Sequence, residues 1–196
     1  MFLSRIDRPA MPHWAWRPYH AGAAAEPVAR AWLATQLGCA AEWLPLSRDE
    51  HGRPRLAAPF ADCDVSWSHS GDGLLVALGR GVDVGIDLER VRARPHALAL
   101  AERYFAASEL AWLQVQAAAT RDAAFLHLWC AKEAVLKAHG RGLAFGLDQL
   151  AFGERDGALT LIDCAAALGA PTDWQLREFV PNPGYCAALA WRARVA

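Results

Sequence analysis

The chain lacks a dominant charge: 20 Lys and Arg stand against 21 Asp and Glu in 196 residues, a net −1. Composition therefore gives no support for a nucleic-acid partner or an acidic membrane surface. There is no CxxC pair, and the five cysteines, Cys39, Cys63, Cys130, Cys164 and Cys186, are odd in number. That disfavours a disulfide framework and a structural zinc site and favours a reducing compartment. No uncharged apolar run is long enough to span a bilayer. Arg5, Asp7 and Arg8 follow the first apolar residues closely, so the N-terminus lacks the apolar stretch of a secretory leader. The expectation is a soluble, cytoplasmic protein. Short-period repeats and low-complexity tails are missing too. So are the G-x-S-x-G elbow, HExxH, and the Walker and Rossmann glycine patterns, which sets aside the chemistries those motifs carry.

What is present suits one large domain or two small ones. Nine tryptophans are many for this length and are expected in the core or at contacts. Pro9, Pro12 and Pro18 keep the first twenty residues extended or looped. PVARAWLATQLG has helical spacing of Val28, Trp32 and Leu33, with Pro27 at its start and Gly38 at its end. His51 to Pro59 reads as a loop. Val65–Ser70, Leu74–Gly79 and Val82–Glu89 read as strands, with glycine turns between them. Two helices are expected after Pro95, over 97–105 and 108–119, the second capped by Ser108. A long helix ends near Gly140, with a core stripe of Phe125, Leu128, Trp129, Val135 and Leu136. Apolar segments at 150–154, 158–163, 174–180 and 185–192 look like an antiparallel sheet. Each half thus offers a helix followed by strands. The fold class is α+β with two similar lobes, residues 1–92 and 93–196, divided in the loop at 90–96.

Two segments carry the chemistry. In VDVGIDLE, Val82, Val84, Ile86 and Leu88 take one face of a strand and Asp83, Gly85, Asp87 and Glu89 the other, so the strand is expected to be half-buried with an acidic face exposed. In WCAKEAVLK, Glu133 and Lys137 share a helix face. Neighbouring carboxylates repel unless a cation compensates, and Asp87, Glu89 and Glu133 brought to one point with Lys132 and Lys137 would suit magnesium clamping a diphosphate. Each piece alone has a plainer reading: an acidic strand edge in water, or an i,i+4 ion pair worth a few tenths of a kcal/mol. Ser68-His69-Ser70 before a glycine turn could bind phosphate or be a polar strand end. Arg53, in the turn HGRP, has the forked donors that suit phosphate.

The order HGRP, SHS, GIDLE, WCAKEAVLK and HGRGL resembles the 4'-phosphopantetheinyl transferases of the Sfp type, over roughly Asp49 to Phe145. The resemblance implies a pseudo-two-fold fold with coenzyme A and magnesium between the lobes. It implies transfer of the 4'-phosphopantetheine arm from coenzyme A to a serine of an acyl or peptidyl carrier protein, in fatty-acid, polyketide or nonribosomal peptide biosynthesis, with release of adenosine 3',5'-bisphosphate. Asp87, Glu89 and Glu133 would ligate magnesium. Ser68 or His69, with Arg53, would hold the 3'-phosphate and adenosine end, and Lys132 and Lys137 would contact the phosphates. Glu133, or a metal-bound water it orients, would take the serine proton. A monomer with no nucleic-acid or membrane partner is expected. The chain departs from the family in its first helix region, AGAAAEPVARAW, where only Arg30 is basic and no ligand carries over. A magnesium phosphohydrolase and a coenzyme A or carrier-binding module without turnover are the alternatives.

Overall fold

Two stretches of chain build the same arrangement in the same order. In the computed structural model, which describes residues 9–194, the first comprises β1 (His13–Pro18), α1 (Ala25–Leu37), β2 (Leu46–Arg48), β3 (Pro54–Leu56), β4 (Cys63–Ser70) and β5 (Gly73–Arg80). The second comprises β6 (Val82–Arg90), α2 (Ala97–Tyr104), α3 (Ala107–Gln114), α4 (Ala118–His139), β7 (Leu150–Arg155), β8 (Ala158–Cys164), β9 (Gln175–Phe179) and β10 (Tyr185–Ala193). The segment with Arg5, Asp7 and Arg8, read above as lacking an apolar leader, lies outside the described residues.

In each stretch the last strand is central, flanked by its hairpin partner and by the first strand: β1-β5-β4 and β6-β10-β9. All these pairings are antiparallel. The two-stranded ribbons β2-β3 and β7-β8 occupy matching places. The expected α+β fold of two similar lobes is therefore what the chain adopts. β6 lies before residue 92 but pairs with β10, not with β5.

Strand alternation decides the layers. Leu74 and Val76 of β5 face Trp32 and Leu33 of α1. Leu75 and Ala77 face the other sheet, meeting Val84 and Ile86 of β6 and Leu189 of β10. The far side of β10, with Cys186, Ala188 and Ala190, packs on α4. The order is helix, sheet, sheet, helix. Each fully buried Leu or Ile contributes about 1.5–3 kcal/mol, so the layer between the sheets joins the lobes with the same kind of force that holds each core.

Some local expectations change. The acidic face of β6 is largely covered by α4: Asp87 is 4% exposed, and only Asp83 and Glu89 toward the two ends keep partial contact with water. Gly85 permits the approach, because a Cβ there would lie 1.9 Å from the Ala134 carbonyl oxygen and 2.5 Å from the Ala138 nitrogen. The α3 cap is Ala106, not Ser108; the helix needs no hydroxyl because the Glu109 carboxylate accepts the Ala106 N–H at 3.0 Å. The second helix expected after Pro95 stops at Gln114, and α4 begins at Ala118. The loop at 51–59 contains β3, paired with β2. Among the described residues no helix is long and apolar enough to cross a membrane.

Candidate active site

The free edge of β6 is closed by side chains of β4 rather than by another backbone. Asp64, Ser66 and Ser70 accept the N–H groups of Val84, Ile86 and Arg90 at 2.7, 3.2 and 3.1 Å. Ser68, in the same row, instead donates to Asp87 Oδ1 at 2.8 Å. The period of two on β4 thus sets one polar row along the seam, and Asp87 is where that row meets α4.

Lys137 leaves the last turn of α4 and completes this contact. Its Nζ donates to Asp87 Oδ1 at 2.6 Å and to Ser68 Oγ at 2.9 Å. Burial works against its charge, but Asp87 and Glu133 outweigh burial and hold its pKa above the ordinary lysine value. Glu133, one turn earlier, makes none of these contacts and is 8% exposed. Burial first, and then the Asp87 charge, push its pKa up to about 7. Glu89 pairs with Arg94 at 2.7 Å and accepts from Ser70 at 3.2 Å; burial and Asp87 raise its pKa as well. The i,i+4 ion pair between Glu133 and Lys137 gives way to Lys137 with Asp87.

Through Ser68 and Lys137 this group borders a pocket of about 540 Å³, lined also by His69, Trp67, Arg48 and the start of α1. His69 is exposed and stacks on Tyr19, ring centroids 4.5 Å apart. Arg48 lies over Trp67 and pairs with Glu26 at 3.1 Å. A second pocket of about 200 Å³ shares Arg48, Trp67 and Lys137 and continues past His51 toward Gly140. Arg48 was not singled out from sequence. The available signal was its place two residues from the basic turn HGRP, and nothing periodic marked it.

Two residues expected at the phosphates are tied into the fold by buried contacts. Lys132 is wholly buried on the other side of α4. Its Nζ pairs with Glu109 at 2.6 Å and donates to the Leu147 and Leu150 carbonyls at 2.7 and 2.5 Å. All three of its donors are used, so it is not available to a phosphate. Arg53 is 7% exposed, and its guanidinium donates to Asp64 and to the Ala138 carbonyl near the end of α4. It fixes the end of α4 to β4 and lines the smaller pocket beside Gly140 and Lys137, while the larger pocket does not reach it.

Lys132→Met should therefore leave substrate KM unchanged and cost about 3–5 kcal/mol, the usual price of a buried pair broken on one side. Adding Glu109→Gln should restore part of that loss. Urea unfolding alongside steady-state kinetics checks both. A raised KM with normal stability would return Lys132 to the phosphates.

A family model described as the 4'-phosphopantetheinyl transferase superfamily matches residues 83–190. The 4'-phosphopantetheinyl transferase HetI of Nostoc is 32% identical over 83% of this chain and 67% of its own length. The 4'-phosphopantetheinyl transferase psf-1 of Bacillus pumilus is 43% identical over 61% of this chain and 50% of its own length. The chain thus spans between half and two thirds of these relatives. A solved holo-[acyl-carrier-protein] synthase of Thermotoga maritima aligns with TM-score 0.45 and 22% identity, covering 58% of this chain and 64% of that one.

Proposed function

This chain belongs to the 4'-phosphopantetheinyl transferase superfamily, and from that premise we propose that it moves the 4'-phosphopantetheine arm of coenzyme A onto a serine of an acyl or peptidyl carrier protein. Adenosine 3',5'-bisphosphate is the other product. The observation that carries this reading is the joined group of Asp87, Ser68 and Lys137, with Glu133 beside it, at the inner end of a pocket that runs to His69 and Arg48.

The reading implies magnesium, and the donor set fits it. Asp87 Oδ2 is buried without a partner, and burial, followed by the Asp87 charge, raises the Glu133 pKa to about 7. Among the described residues no three His, Cys, Asp or Glu side chains stand close enough together to hold a metal ion without a ligand, so phosphate and water would have to complete its shell. Asp87, Glu89 and Glu133 would hold it. Bound there, magnesium neutralises the diphosphate and eases departure of the nucleotide.

The chain's own residues do the rest. Lys137, fixed by Asp87 and Ser68, places its charge where the transferred phosphoryl oxygens gain negative charge. Glu133 takes the proton of the attacking serine hydroxyl directly or through a water it orients. His69 and Arg48 line the outer pocket and suit the 3'-phosphate, with Arg48 in the part first given to Arg53.

The test is mass spectrometry of fatty-acid, polyketide and peptide carriers incubated with coenzyme A and magnesium. Consumption of coenzyme A without any carrier would favour the hydrolase alternative. Asp87→Ala removes a metal ligand and the anchor of Lys137 together, so transfer should fall by about 10²-fold or more while the far-UV spectrum stays native. Parental turnover by this variant at limiting magnesium rejects the assignment.

A further inference from the structure

Beneath the acids lie two thiols that this reaction does not use. Cys130 sits on α4, three residues before Glu133 and on the same side of the helix. Cys186 sits on β10, opposite Glu89 in the strand register, on the face that packs against α4. Their sulfurs are 3.9 Å apart, and both are buried, Cys130 at 1% and Cys186 at 4% exposure. All five cysteines are free; this pair is the one whose sulfurs meet among the described residues.

We propose that Cys130 and Cys186 are an oxidisable dithiol that a small hydroperoxide converts to a disulfide, displacing the helix turn that carries Glu133. Both thiols are too buried for a protein or glutathione to reach, so the oxidant has to be small. The Cys186 thiolate attacks one peroxide oxygen; an S–O bond forms, the O–O bond breaks, and hydroxide leaves as water on taking up the thiol proton. The Cys130 sulfur then attacks Cys186 sulfur; the S–S bond forms, the S–O bond breaks, and the departing hydroxide takes the Cys130 proton. Two thiols and one hydroperoxide give one disulfide, water and the reduced alcohol or a second water.

A disulfide needs its sulfurs about 2.05 Å apart, so they must close by roughly 2 Å. The α4 backbone cannot simply move inward, because it already touches Gly85. Closure that side-chain rotation does not supply has to come from a tilt or turn of α4, and Glu133 goes with it.

The experiment treats the reduced full chain with hydrogen peroxide, blocks remaining thiols with iodoacetamide in denaturant, and maps non-reduced tryptic peptides. The expected product joins the peptide Asp122–Lys132 to Glu178–Arg192, leaves Cys39, Cys63 and Cys164 alkylated, and reverts with dithiothreitol. The effect on activity rests on the proposed transfer. The oxidised chain should modify its carrier at least ~10-fold more slowly and recover on reduction, and Cys186→Ser should keep its basal rate under peroxide. Failure of the reduced chain to transfer at all would count against the function alone, since the peptide map is read without it. Alkylation of both cysteines after peroxide, or cross-links only to the other three, overturns the dithiol. A complete cross-link with unchanged transfer overturns its control of Glu133.

Discussion

Glu133→Gln is expected to be inactive and yet, in metal-free buffer above pH 7, more stable than the parent. The carboxylate is buried beside Asp87 and Glu89 and its pKa stands at about 7 against an ordinary 4.5. The folded protein keeps a proton there that the unfolded chain has released. The stability this provides is complete below about 4.5 and is lost as pH rises through about 7. At about 1.4 kcal/mol per unit the loss comes to about 3.5 kcal/mol, and relaxation around the helix would reduce it toward 1–2. Glutamine has the same shape and carries no charge to lose. The gap between variant and parent should therefore open between pH 5 and 8, and magnesium should narrow it by stabilising the parent. Chelated thermal melts across that range, run beside single-turnover transfer, read both effects. Equal melting at every pH would mean that Glu133 carries no such burden, and normal transfer would remove it from the chemistry.

Gly85→Ala should be the most damaging single methyl in the chain. Its Cβ would fall 1.9 Å from the Ala134 carbonyl oxygen, and the obstacle is helix backbone, which has no rotamer to give. Overpacking commonly costs about 1–3 kcal/mol; with α4 buried on nearly every side, the upper end or beyond is expected. Any displacement separates Lys137 from Asp87, so a surviving folded fraction should be slow as well as unstable. Denaturant midpoints and the rate per folded molecule together test this, and a variant with parental values for both would show that α4 can retreat without cost.

Much of this was legible because the relevant faces follow from spacing. Asp87 and Glu89 two apart on a strand, and Glu133 and Lys137 four apart on a helix, had to share sides, and the structure brings Asp87 and Lys137 into contact. The spacing also held a distinction that was missed. Lys132 and Lys137 are five apart, about 140° around an α-helix, so both could not face the same acids. Lys132 takes the far side, where Glu109 meets it. Gly85 was a second neglected sign: a glycine in mid-strand marks close backbone approach, and it contradicts the reading of that face as open to water. Arg53 and Arg48 could not be told apart in advance. Arg48 ends a three-residue strand and Arg53 stands in the turn after it, neither marked by any periodicity, and which one is buried depends on Asp64, which pairs with Arg53 while Arg48 pairs with Glu26.

The pairing of β6 with β10 also sets a timetable. Val82 is matched with Ala193, so the strand bearing the acids is made about a hundred residues before its backbone partner β10 emerges from the ribosome. By then β1, β5 and β4 are complete and can close their own sheet, as N-terminal units tend to do first. A waiting strand is a template for pairing with other chains. Here the β4 row of Asp64, Ser66 and Ser70 can occupy its N–H groups in the interval. Those contacts would then act as a built-in chaperone during synthesis, and their removal would appear as lost soluble yield well before any loss of activity per molecule.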